Sequence, residues 1–167
     1  MPTIPPPLPL LEGDDQPAKQ FASERLNLGT LARFPGYVFR RAQAQINEGL
    51  AQLLAPYDLR RTSVAVLLLL KYNPGAAPSD IADTLGIART NFVALVEALG
   101  ARGLVLRHPR PDDRRFRALY LSREGLKLVN KFEPAIEAYE SKIRQQIEEN
   151  SPGAVAAVFE WLSRTAG

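Results

Sequence analysis

The chain has 167 residues, 46% of them hydrophobic, and a formal net charge of +3 from 21 lysines and arginines against 18 acids. That length builds one good core, or a small core plus an oligomer interface, and leaves no room for two large independent domains. It contains no cysteine and a single histidine, His108, which excludes disulfides, thiolate redox sensing and thiolate metal sites and argues against a transition-metal sensor.

No secretory leader is visible, and no run approaches the roughly 18 apolar residues needed to cross a bilayer, so the expectation is a cytoplasmic protein with no membrane partner. Residues 1–17 hold six of the fourteen prolines, a density that forbids a helix and favours an extended arm. From Pro35 to Leu54 the apolar residues Val38, Ala42, Ile46, Leu50, Leu53 and Leu54 recur at steps of three and four, which predicts a long helix with one face on a core. Pro56 ends it. Thr62 is the expected N-cap of the next helix, the nearly all-apolar run Val64 to Leu70, and Asn73-Pro74-Gly75 stops that helix as a turn.

Ser79 is then expected to cap a short helix, Asp80 to Thr84, with Gly86 supplying the turn after it. A further helix spans about Ala88 to Arg102, burying Phe92, Leu95, Val96 and Leu99, with Gly103 as its C-cap. Leu104 to Arg107 and Phe116 to Leu121 read as strands joined by a charged loop, His108 to Arg115. Ser122 opens a long helix that Pro134 is expected to kink, and Ser151-Pro152-Gly153 separates it from a last helix, Ala154 to Arg164.

Two helices, a tight turn, another helix and a basic hairpin make the pattern of a winged helix-turn-helix. The fold class is mainly α with a small β wing. Its expected organisation is a proline-rich arm (1–17), an N-terminal dimerisation helix (18–56), a winged helix-turn-helix (57–121) and C-terminal dimerisation helices (122–167). The terminal helices carry more apolar face than one small domain covers, which points to a homodimer. Between Ala88 and Arg117 lie seven arginines (89, 102, 107, 110, 114, 115 and 117) against Glu97, Asp112 and Asp113, a net of +4. Positive charge is thus concentrated where a duplex would be gripped, while Glu133 to Glu160 carries six glutamates against Lys142 and Arg144.

In a helix-turn-helix the first turns of the second helix reach base edges in the major groove. Here these carry Arg89, Thr90 and Asn91, with Ala94 one turn on. Arginine suits guanine, asparagine suits adenine, and threonine can bond a base or meet a thymine methyl.

The chain resembles the MarR family of bacterial transcription regulators over about Pro35 to Arg164. The residues that carry the likeness are Ser79-Asp80-Ile81-Ala82, then Leu99-Gly100-Ala101-Arg102-Gly103-Leu104-Val105, then Asp112-Asp113-Arg114-Arg115, then Leu121-Ser122-Arg123-Glu124-Gly125. The resemblance implies a DNA-binding site that includes Ser79, and a wing in which Asp113 orients Arg115 for the minor groove while Arg110 and Arg114 contact phosphates. It also implies a dimer on a pseudo-palindromic double-stranded operator, half-sites about 10 bp apart, and repression relieved by a small effector. The chain departs from the family where Val93 and Ala94 stand, positions at which a serine or threonine and a polar or basic residue are common.

Tyr37, Arg40, Arg41 and Gln45 on the first helix, with Tyr57 and Arg60 in the following link, combine aromatic surface with cations able to pair a carboxylate. An aromatic acid or its coenzyme A thioester suits that set. The same residues also read as an ordinary solvated helix face. No cofactor and no metal is expected. No nucleophile elbow, P-loop, dinucleotide fingerprint or metal motif is present, so the chain does not read as an enzyme. A winged helix that binds protein instead of DNA is the alternative, against which the arginine concentration stands.

Overall fold

The computed structural model describes residues 26–109 and 117–165. In chain order these form a 3-10 turn (Gly29–Arg33), α1 (Pro35–Leu54), a second 3-10 turn (Ala55–Tyr57), α2 (Arg61–Tyr72), α3 (Pro78–Thr84) and α4 (Arg89–Ala101). The hairpin β1 (Val105–Pro109) and β2 (Arg117–Leu121) follows, then α5 (Arg123–Asn150) and α6 (Ala154–Thr165). The fold is mainly α with a two-stranded wing, as the sequence pattern predicts. Two compact units divide the chain: Gly49–Ser141, and the described parts of Met1–Glu48 with Lys142–Gly167.

The first of these units holds the hydrophobic core. Its centre is α2, whose Val66, Leu67 and Leu70 are essentially inaccessible to solvent, packed with Leu54, Ile81, Phe92, Val96, Leu99, Leu119, Val129 and Phe132. Burying each such side chain stabilises the fold by roughly 1.5 to 3 kcal/mol. The second unit differs: none of its described residues is buried, although α1 and α6 both have apolar stripes.

Helices α3 and α4 end in the same way. Gly86 and Gly103 take left-handed conformations, φ 62° and 68°, that a side chain would strain. The N–H of Gly86 donates to the Asp83 carbonyl at 3.2 Å and that of Ile87 to Ala82 at 2.9 Å. At the second end Gly103 donates to Gly100 at 2.8 Å and Leu104 to Leu99 at 3.0 Å. Each pair of bonds satisfies carbonyls that the helix leaves unpaired and reverses the chain in two residues. At the end of α4 the cap itself is Arg102, and Gly103 is the residue after it.

Three other starts and bounds differ from expectation. Helix α2 begins at Arg61 with Arg60 as an extended N-cap, so Thr62 lies inside the helix and caps nothing. Helix α3 begins at Pro78, whose fixed φ already suits the first helical position, after Ala77. Ser79 therefore lies one residue inside, its hydroxyl donating to Asp80 Oδ1 at 3.1 Å. Strand β1 runs on through His108 and Pro109, which the antiparallel register places opposite Ala118 and Arg117.

The wing is anchored at its base. Gly75 N–H donates to the Leu119 carbonyl at 2.9 Å and Leu119 N–H returns to the Ala76 carbonyl at 3.0 Å, so the α2–α3 turn adds a one-residue third strand. Helix α5 continues through Pro134, whose missing N–H leaves the Asn130 carbonyl without its helical donor.

Candidate nucleic-acid interface

Helix α4 buries Phe92, Val96 and Leu99 and half-buries Leu95, all against the core. A 3.6-residue period then forces the intervening positions outward. Arg89, Thr90, Asn91 and Ala94 are all exposed, as the sequence reading places them, and Val93 beside them is 46% exposed. Half-buried Ser79 sits in the first turn of α3. Arg107 and Arg117 are exposed on the wing strands. Arg110, Asp113, Arg114 and Arg115 lie outside the described residues.

Arg102 is engaged within the fold. Its Nη1 donates to the Asp58 carbonyl at 2.5 Å and its Nη2 to the Tyr57 carbonyl at 3.0 Å. No sequence signal marks this pairing, which joins residues 44 and 45 positions apart.

A second polar cluster also escaped sequence reasoning. The buried carboxylate of Glu133 on α5 accepts hydrogen bonds from Lys71 Nζ and, at 2.7 Å, from the Tyr72 hydroxyl, both at the end of α2. The Lys71 and Tyr72 bonds hold the Glu133 carboxyl below its ordinary value, and the Glu133 bond raises Lys71 and Tyr72 above theirs.

Of the residues expected to line an effector site, Arg40 lies over the Tyr37 ring at 5.5 Å from its centroid, and Gln45 is exposed. The Nε of half-buried Arg41 is shielded from solvent with no acceptor from the described residues. Tyr57 packs edge-on against Phe132 at 6.1 Å between centroids, which gives it a place in the core, and Arg60 is exposed. A cavity of about 540 Å³ between α2 and α3, lined by Leu69, Asn73, Asp80 and Thr84 among others, includes none of these residues. Among the described residues no cluster of metal-ligating side chains occurs, and no helix is long and apolar enough to cross a membrane.

The MarR family model matches residues 57–115, from the α1–α2 link into the wing. The fold also superposes on a solved structure of the transcriptional repressor CouR bound to a 23-mer DNA duplex, with a TM-score of 0.73 and 34% identity over 85% of this chain and 99% of that one. The chain belongs to the MarR family. This MarR protein is likewise similar to CouR bound to p-coumaroyl-CoA, with a TM-score of 0.72 and 31% identity over 83% of this chain and 98% of that one. The HTH-type transcriptional regulator MhqR of Bacillus subtilis (strain 168) is 29% identical over 128 residues, covering 76% of this chain and 86% of that one. As a MarR-type winged helix the protein is a DNA-binding transcriptional regulator and not an enzyme.

Proposed function

We propose that the protein is a homodimeric repressor that binds a pseudo-palindromic duplex and leaves it when an aromatic acyl-coenzyme A thioester binds. The observation that carries the DNA half of this reading is the outward face of α4, where Arg89, Thr90, Asn91, Val93 and Ala94 all meet solvent opposite the buried stripe. Arginine and asparagine there bond guanine and adenine edges, and the apolar members suit thymine methyls. The wing, with Asp113 orienting Arg115 in the minor groove and Arg110 and Arg114 on phosphates, supplies sequence-independent affinity.

The dimer is supported by the second unit, whose amphipathic helices leave Phe39, Phe159 and Leu162 exposed in a single chain. A thioester effector is supported by the likeness to CouR, which binds p-coumaroyl-CoA. It also suits Arg40 stacked on Tyr37 and the Nε of Arg41, which has no acceptor among the described residues and which a carboxylate or phosphate oxygen would satisfy. Such a ligand releases DNA only in so far as it prefers one spacing of the two recognition helices over another.

The test is an electrophoretic shift with duplex enriched by the protein from a random-sequence pool. Binding should weaken steeply with salt, with Arg89→Ala and Arg115→Ala each flattening the log–log slope by about one unit if each contacts a phosphate and weakening affinity if it reads a groove. p-Coumaroyl-CoA should release the duplex while free coenzyme A does not. Absence of binding at low salt would overturn the DNA reading, and release by both compounds or neither would overturn the effector.

A further inference from the structure

We infer that Arg102 is a positioning residue for the recognition helix α4 and not one of the arginines that hold the duplex. The inference rests on the proposed function, since α4 is taken there as the helix that enters the major groove. The planar guanidinium spans two consecutive carbonyls, those of Tyr57 at 3.0 Å and Asp58 at 2.5 Å, and lies 3.9 Å from the Asp58 carboxylate. Two donor nitrogens held in one rigid plane, each on its own carbonyl, suit the fork of arginine, whereas lysine and glutamine each bring a single nitrogen.

The acceptors are themselves fixed. They close the 3-10 turn Ala55–Tyr57, where helical carbonyls have no partner along the chain. Asp58 is the one non-glycine among the described residues with positive φ, 49°, a left-handed turn closure that aspartate adopts more readily than most residues. Leu54 and Leu59 on either side are buried in the core, and the Tyr57 ring rests on Phe132. The link is thus a rigid point within the winged unit, and Arg102 ties the C-terminal cap of α4 to it.

Apolar burial decides which face of α4 points inward, but it is non-directional and fixes the helix weakly along its own axis. The two directed hydrogen bonds of Arg102 add a restraint of defined direction at the end of α4, beside the Ser122 bonds to the Gly103 and Leu104 carbonyls, and base recognition depends on such placement. The side chain of Arg102 remains 38% exposed.

The experiment uses the full chain as wild type, Arg102→Gln and Arg102→Lys, with the duplex enriched by wild type as probe and affinity read across a salt series. Both variants should bind about tenfold more weakly, at an unchanged log–log salt slope, because no phosphate contact is lost. Lysine keeps the charge but cannot span two carbonyls, so it should not rescue. Thermal melting reports that the variants are folded, and if the glutamine variant is not, the lysine variant decides. A slope shallower by about one unit in Arg102→Gln would make Arg102 a phosphate contact and overturn the inference. Wild-type affinity in either variant would overturn it as well. A wild-type chain that enriches no duplex would overturn the proposed function and this inference with it.

Discussion

The carbonyl oxygen of Leu104 occupies the space in which a side chain at Gly125 would begin. Ser122 N–H donates to that same carbonyl at 3.0 Å, while its hydroxyl donates to the Gly103 carbonyl at 2.5 Å and accepts the Gly125 N–H at 2.9 Å. One serine and two glycines therefore join the end of the recognition helix to the start of α5. Gly125→Ala gains up to about 1 kcal/mol of helix propensity. It should nonetheless destabilise the protein by about 1 to 3 kcal/mol, because a backbone carbonyl cannot move aside. Gly49→Ala is the comparison: the atoms nearest its new methyl are the phenol end of Tyr139, the far end of a side chain and not backbone, so it should lose less stability than Gly125→Ala. Denaturant unfolding measures both, and equal losses would refute the distinction.

The Glu133 cluster sets an acid limit on part of the stability. Its carboxyl titrates below the ordinary value of 4.5 in the folded chain, so its contribution is present above that pH and is lost as pH falls through the lower, folded value. Lys71 titrates above 10.5, so its contribution is lost only as pH rises past that. The margin of wild type over Glu133→Gln should be flat from neutral pH to about pH 5 and shrink below it. Melting temperatures of the two proteins across that range provide the measurement. A margin that persists undiminished into strong acid would show that the carboxylate charge contributes nothing.

Much of the winged unit is legible from local rules. Phe92, Val96 and Leu99 announce a helix face by spacing alone, Gly86 announces a turn and Gly103 a C-cap, and Ser122 announces the start of a long helix. Where the reading failed, a distant contact decided. Ser79 looks like a cap, but Ala76 is paired with Leu119 on β2, and that bridge delivers the chain to Pro78 ready for the first helical position. Arg102 looks like one basic residue among seven until the link at Tyr57 and Asp58 folds against it. Lys71 and Glu133, 62 residues apart, carry no periodic or motif signal that they meet. Apolar pattern is a property of a segment, whereas a polar partner is a property of the tertiary fold.

Val93 gives a test of base reading that touches no charge. An exposed valine on a recognition helix, next to exposed Ala94 and one turn beyond Arg89 and Thr90, is suited to meet a thymine C5-methyl. Replacing thymines one at a time by deoxyuridine removes that methyl and nothing else. At one position in each half-site the affinity should fall about threefold to fivefold, the value of one buried carbon group. In Val93→Ala the same replacement should have little further effect. If deoxyuridine is tolerated everywhere, or if Val93→Ala remains as sensitive to it as wild type, Val93 does not read the base.

Assembly should fail before folding when the second unit is made polar. That unit has no buried residue among those described, yet Phe159 and Leu162 on α6 are 60% and 47% exposed and Ile147 near the end of α5 is 38% exposed. Exposed apolar side chains grouped on such helices suit burial against a second chain. Phe159→Asp with Leu162→Asp should therefore convert a dimer to a monomer, seen as a halved mass in light scattering, while the separate core around α2 keeps the winged unit folded. Two linked half-site contacts bind far more tightly than one, so loss of the dimer should weaken the enriched duplex by about a hundredfold or more. If mass halves while affinity holds, each chain reads its site alone and the two-fold operator is wrong. If mass is unchanged, these faces meet something other than a second copy.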